Sequence, residues 1–180
     1  LFFDYFFKYI TYIGDGFFTT AVVLAFLFHK LKNSLLIAST YAISSIIAQI
    51  IKVIVAAPRP KLYFKGIYDL HFVQGVDEHS MFSFPSGHSA STCALVLSLT
   101  MLTDKRYLQI FLLVLGMLTA YSRIYLSQHF LIDVVAGTFI GVSVVLVYSM
   151  YHDKIQGAWT EKSIIQVFKE RKQRRLNQNS

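Results

Sequence analysis

The chain has 180 residues, of which 54% are hydrophobic and only 15% charged, and its formal net charge is +7. A soluble domain carries about 25% charged residues, so this composition excludes an ordinary soluble globular protein and points to the membrane class. The lone Cys93 excludes a disulfide framework and a cysteine-based metal site; inside an apolar run it reads as a small buried hydrophobe.

The first segment, "LFFDYFFKYITYIGDG", is aromatic and runs into the first of five apolar stretches, at about 17–28, 35–57, 89–103, 108–126 and 130–151. A span takes about 20 residues. The second, fourth and fifth stretches reach that length plainly. The third reaches it if it begins near Ser86, and the first only if it starts before Gly14. Apolarity this sustained reads as helix, because backbone groups in lipid must pair within their own segment. The alternating pattern of a membrane barrel is absent. The expected fold is therefore all-α, a polytopic transmembrane helix bundle of about five spans. It is divided into a membrane-embedded domain over 1–155 and a basic cytoplasmic tail over 156–180.

The connections give the orientation. "HKLKN" (29–33), "DKR" (104–106) and the segment from Lys154 to Arg175 are short and basic. If all five stretches span, these three fall on one side, which the positive-inside rule makes cytoplasmic. The loop 58–85 and the turn 122–129 then face outward. On this reading the N-terminal segment starts outside with no preceding span to place it there, so a further first helix is expected ahead of it. "LFFDYFF" has neither the basic region nor the cleavage site of a signal peptide.

Three constellations gather on the outer face. In "KVIVAAPRP", Lys52 and Arg59 are seven residues apart, which places them on one face if the helix persists to Arg59. In "SFPSGHSAST", the turn at Pro85, Ser86 and Gly87 feeds the start of a helix, where free N–H groups favour phosphate. Ser86 adds a hydroxyl, Gly87 lets backbone approach a ligand, and His88 sits at the mouth. In "SRIYLSQHFLID", His129 and Asp133 are spaced i, i+4 and stack on one helix face. The carboxylate would fix the imidazole tautomer, and Arg123 closes the preceding span. Each constellation alone has a plainer account: a snorkelling lysine, a capping histidine, a structural His–Asp bond. Together they supply three cations, a helix-start anion site, two imidazoles and a carboxylate, the requirements of phosphoryl transfer through a covalent histidine. His71 and His79 lie in the long outer loop and read as solvated or rim residues rather than metal ligands.

These motifs, Lys-x6-Arg-Pro, "PSGH" and Ser-Arg-x5-His-x3-Asp, resemble in order and spacing the signature of the type 2 phosphatidic acid phosphatase superfamily. "GDG" at 14–16 looks like the segment that precedes the second helix in that family. The resemblance implies six helices, with the first without a counterpart in this chain. It implies that Lys52, Arg59, Ser86, the Gly87 backbone and Arg123 hold phosphate. His129 would attack phosphorus, Asp133 would orient it, and His88 would protonate the leaving group and then activate water. No metal or other cofactor is implied. The substrate would be a lipid phosphate met at the bilayer surface; phosphatidate, phosphatidylglycerol phosphate, undecaprenyl pyrophosphate and lipid A phosphate all fit. Loop 61–84 is the expected specificity element. The implied location is the bacterial inner membrane with the site facing the periplasm or exterior, and no nucleic-acid partner is expected of the basic tail.

The alternatives within the superfamily are a haloperoxidase-like and a sugar-phosphatase-like member. The apolar spans disfavour the first, since haloperoxidases are soluble. From another class, a transporter or lipid-binding protein could use the same charge cluster. A transporter would more often show inverted repeats or interrupted helices near mid-membrane.

Overall fold

Apolar runs broken by Gly, Pro and basic turns give helices throughout. The structure, a computed structural model, describes residues 1–77, 79–152, 154 and 160–178. In chain order it has α1 (Phe2–Ile10), a 3-10 turn (Thr11–Gly14), α2 (Gly16–Leu27), α3 (Leu31–Val55), α4 (Pro60–Tyr63), α5 (Gly87–Met101), α6 (Arg106–Tyr125), α7 (Leu131–His152) and α8 (Ile164–Gln178). Among the described residues there is no β-strand, only an isolated bridge between Pro58 and Met81. The all-α expectation holds.

The spans differ from one another. α3, α6 and α7 are long and apolar enough to cross a bilayer. The first apolar run does start before Gly14, but as a bent pair: α1 with its 3-10 turn meets α2 at 51°. The third run is shorter than a span requires. α5 has 15 residues, about 22 Å at 1.5 Å per residue, against a hydrocarbon core of about 30 Å. Its position explains how it can be short. α3, α6 and α7 all pack against it, so lipid does not set its length. Besides Leu95 and Val96, its buried residues are Ser89, Ala90, Ser91, Thr92, Ala94 and Ser98, small and hydroxyl residues that suit close helix contacts in a membrane.

The tightest of those contacts is between α5 and α7. Gly137 and Gly141 are four apart and share a face. A Cβ at Gly137 would collide with the Ser86 carbonyl oxygen, and one at Gly141 would stand 2.5 Å from the Ala90 carbonyl oxygen. Across the other side, the Thr40 and Ser98 hydroxyls bond at 2.9 Å, joining α3 to α5. Gly137→Val is therefore expected to push α7 off the start of α5, with a cost of about 1–3 kcal/mol for overpacking. Thermal unfolding in detergent should show a lowered melting temperature; an unchanged one would contradict the packing described.

This arrangement brings the C-terminal ends of α3 and α6 to the N-terminal ends of α5 and α7. At the opposite end, the Leu31 and Lys32 amides donate to the carbonyls of Lys162 and Thr160 at 3.0 and 2.8 Å, and Lys30 pairs with Glu161 at 3.0 Å. The segment after α7 thus satisfies first-turn donors of α3 that the helix itself leaves open. The expected domain boundary at 155/156 lies outside the described residues.

Candidate active site

α3 ends earlier than its sequence suggests. The helix stops at Val55, and Ala56 takes a left-handed conformation with φ 45°. Proline at 58 and 60 biases the residue before each away from helix, so the chain turns out before Arg59. Arg59 therefore does not share a helix face with Lys52; it reaches the same place from a loop. There it is buried and firmly held. Its amide donates to Ser80 O at 2.9 Å, Nε to Met81 O at 3.0 Å and an Nη to Gln128 Oε1 at 2.8 Å.

Ser86 is the N-cap of α5, and its Oγ accepts from the Ser89 amide at 3.3 Å and the Ser89 hydroxyl at 2.9 Å. Gly87 follows as the first helical residue. A Cβ there would have Lys52 Nζ as its nearest neighbour, 4.0 Å away, so the space in front of the helix start is open toward a cation. An anion entering it meets free N–H groups and the positive helix end.

The end of α6 places His129. The Arg123 carbonyl accepts from the amides of both Gln128 and His129, at 3.0 and 3.1 Å. Ser127, with φ 54°, lets the chain wind back over the helix end. α7 starts only at Leu131, so His129 and Asp133 do not stack on one helix face as their spacing suggests. Phe130 is the cap and Asp133 the third helical residue, which reaches back to the cap amide as capping-box acids do. Asp133 Oδ2 accepts from the Phe130 amide at 2.9 Å and from the Ser83 hydroxyl at 2.5 Å. His129 Nδ1 is 3.4 Å from the same oxygen, longer than an ordinary N–H···O bond. The carboxylate is thus clamped by two other donors and orients the imidazole by charge as much as by hydrogen bonding.

Lys52, Arg59, Gly87, His88, Arg123 and His129 open onto one cavity of about 300 Å³. Ser86 and Asp133 are buried behind it, holding the helix start and His129. His79 lies on the cavity wall, whereas His71 bonds Asp4 Oδ1 at 2.8 Å outside it. Four further residues shape the site without having been assigned from sequence. Ser83 clamps Asp133, and Gln128 holds Arg59. Thr11 accepts from Arg123 at 2.9 Å, and Asp15 Oδ1 is 2.7 Å from His88 Nε2. Arg123 is 7% exposed, and its Nε is buried with no partner among the described residues. A buried charged donor left open is costly, and a phosphate oxygen would satisfy it.

Burial pushes His129 down to about 4, with Arg59, Arg123 and Lys52 adding to the shift and the Asp133 contact opposing it. Its imidazole is therefore neutral near pH 7, as a nucleophile must be. The unfolded chain, with histidine near 6.5, takes up this proton first as pH falls. The stability contribution is thus present above about pH 6.5 and lost as pH drops toward about 4. Melting temperatures measured from about pH 7 to about pH 4.5 should fall more steeply for the wild type than for His129→Gln; parallel profiles would contradict a buried neutral His129.

Residues 33–156 match the family model described as the PAP2 superfamily. A lipid A 4'-phosphatase of Bacteroides thetaiotaomicron is 36% identical over 83 residues, 46% of this chain and 37% of that protein. An undecaprenyl-diphosphatase of Sulfolobus acidocaldarius is 28% identical over 124 residues, 68% of this chain and 56% of that protein. The chain thus spans only part of the length of the curated relatives it matches. Among solved structures, LpxE of Aquifex aeolicus superposes with a TM-score of 0.74 at 22% identity, covering 82% of this chain and 86% of that one. A transmembrane PAP2 type phosphatidylglycerolphosphate phosphatase of Bacillus subtilis superposes at 0.68 with 25% identity, covering 87% and 80%.

Proposed function

The chain belongs to the PAP2 superfamily, and on that premise we propose that it is an integral-membrane phosphatase acting on a lipid phosphate or diphosphate through a phosphohistidine. The observation that carries this reading is the convergence of Lys52, Arg59, Arg123, the Gly87 helix start and two histidines on one cavity. Relatives of this chain are a lipid A 4'-phosphatase and an undecaprenyl-diphosphatase, both acting on lipid-linked phosphate.

The chemistry follows from the positions. Phosphate oxygens lie against the three cations and the free amides of the α5 start, which neutralise charge as it spreads in the transition state. The neutral His129 Nε2 attacks phosphorus, its Nδ1 side facing Asp133. As the P–N bond forms, the P–O bond to the lipid breaks, and His88 gives a proton to the departing oxygen. His88 then takes a proton from water, which attacks phosphorus and displaces His129, releasing phosphate and restoring both rings. The fixed cations fill the electrostatic role that a metal ion fills in other phosphoryl-transfer sites.

Location supports a lipid substrate. The cavity sits among helix ends at one end of the bundle, where a head group can enter while its tails stay in the bilayer. The basic connections 29–33 and 104–106 lie at the other end, which under the positive-inside rule supports a site on the extracytoplasmic face. Loop 61–84 reaches this end, with Tyr63 and Phe64 packed on Phe130 at ring separations of 5.5 and 6.0 Å, next to His129. That is a suitable place to select among lipids.

A panel of lipid phosphates and diphosphates tests the proposal. Phosphate release from at least one is expected, unaffected by EDTA and blocked by vanadate, which mimics the five-coordinate transition state. Release from none, or loss on chelation that magnesium or zinc restores, would overturn it.

A further inference from the structure

The proposed mechanism leaves one charged wall residue unused. Asp15, in "GDG", is the carboxylate among the described residues lining a cavity otherwise built for an anion. A negative charge there opposes phosphate binding, so it needs a compensating role. Its local structure shows where its bonding capacity goes. Asp15 is the N-cap of α2, with φ −81° and ψ 151°, yet its side chain makes no capping bond. An N-cap aspartate ordinarily accepts from the second or third helical amide. Here the carboxylate turns away from its own helix and meets His88 Nε2 at 2.7 Å.

The flanking glycine makes this contact possible. A Cβ at Gly14 would lie 2.5 Å from Thr92 Oγ1 and 3.2 Å from His88 Cδ2, and Ser91 Oγ donates to the Gly14 carbonyl at 3.1 Å. The bend between α1 and α2 is thereby seated directly on the first turn of α5. The other charged groups facing His88 are Lys52 from α3 and Arg123 from α6, with His79 and His129 on the same wall. Burial is the chief influence against the proton that His88 must carry when the leaving oxygen departs, and both cations add to it.

We propose that Asp15 is the positioning residue of His88: its carboxylate accepts from Nε2–H, fixes the ring, supports its protonated form and leaves Nδ1 to deliver the proton to the leaving oxygen. It touches no reacting atom and acts through His88 alone. This makes a four-membered relay of Asp133–His129 on the attacking side and Asp15–His88 on the leaving side, each imidazole with its own carboxylate.

The inference rests on the phosphatase reading, and the test separates the two. Phosphate release from the lipid substrate and acid-labile labelling from p-nitrophenyl phosphate are measured for wild type, Asp15→Asn, His88→Ala and the double variant, with rates expressed per labelled site so that unfolded protein cancels. Asp15→Asn is expected to slow lipid turnover by about 10- to 100-fold, within the range of general-acid help. It should leave phosphoenzyme formation from the activated ester within about 3-fold, because p-nitrophenolate leaves without a proton. In the His88→Ala background it should add less than about 2-fold, since coupled residues do not add. An equal loss in both backgrounds, no loss on the lipid, or loss of labelling would overturn the role of Asp15. If Asp15→Asn does not fold, Asp15→Ser, which keeps an N-cap side chain, is held to the same criteria. A wild type that neither releases phosphate nor becomes labelled would instead defeat the phosphatase reading itself.

Discussion

His129→Ala is expected to abolish turnover of every phosphate ester, and His88→Ala to lose activity according to the leaving group. The difference follows from where the two rings stand. His129 is 3% exposed and held neutral, anchored by its amide to the Arg123 carbonyl and flanked by Asp133. Among the described residues His79, His88 and Ser91 also line the cavity, but none of them is flanked by Asp133 as His129 is, so its removal is expected to leave nothing placed to accept the phosphoryl group. His88 stands at the start of α5 beside Asp15, and in the proposed mechanism it serves the departing oxygen. A lipid alkoxide needs a proton to leave, and loss of general-acid help is typically worth about 10² to 10⁴ in rate. p-Nitrophenolate does not, so the first step survives on that ester and phosphoenzyme builds up while water attack is slow. Steady-state and single-turnover rates on a lipid phosphate and on p-nitrophenyl phosphate, for both variants, check this. Equal losses on the two esters in His88→Ala would contradict the assignment.

Arg123→Lys is expected to lower kcat/KM by about 10² to 10³, the scale of removing one preorganised donor from a transition-state site. Charge is conserved, so geometry must account for the loss. The guanidinium donates from one Nη to Thr11, and its Nε is buried without a partner among the described residues, a fixed donor that a phosphate oxygen would satisfy. A lysine ammonium is a point charge on a flexible stem and cannot hold Thr11 and present the same planar donors. The loss should appear equally as weaker vanadate inhibition. Arg174→Ala, in the exposed basic stretch of α8, removes a charge of the same sign and should leave both measurements unchanged. A loss of less than about 3-fold in Arg123→Lys would mean that only the charge at this place matters.

What the sequence revealed, and what it hid, divides along the range of the forces involved. Apolar runs and basic turns are local signals, and they placed α3, α6 and α7 and the connections at each end of the bundle. The three motifs likewise held Lys52, Arg59, Gly87, His88, Arg123 and His129 of the cavity wall. Features set by contacts far along the chain were not legible. α5 could fall short of a span because three helices shield it, which its own fifteen residues do not announce. Lys52 and Arg59 looked like neighbours on a helix, but two prolines and a left-handed Ala56 end that helix and route Arg59 through a loop. His129 and Asp133 looked like an i, i+4 pair, but the chain turns at Ser127 and begins α7 between them. Ser83, Gln128 and Thr11 meet their partners 50, 69 and 112 residues away. No periodicity encodes such pairings. Asp15 was visible within "GDG", yet its partner was not.

The central claim is a covalent bond from His129 to phosphorus, and rapid quenching with labelled substrate tests it most directly. Wild type and His88→Ala are mixed with labelled p-nitrophenyl phosphate, quenched in alkali and digested, and the label is mapped by peptide. The account predicts an acid-labile, alkali-stable phosphate on the peptide containing His129, transient in the wild type, accumulating in His88→Ala and absent from His129→Ala. Label on His88, or label that persists in His129→Ala, would contradict it.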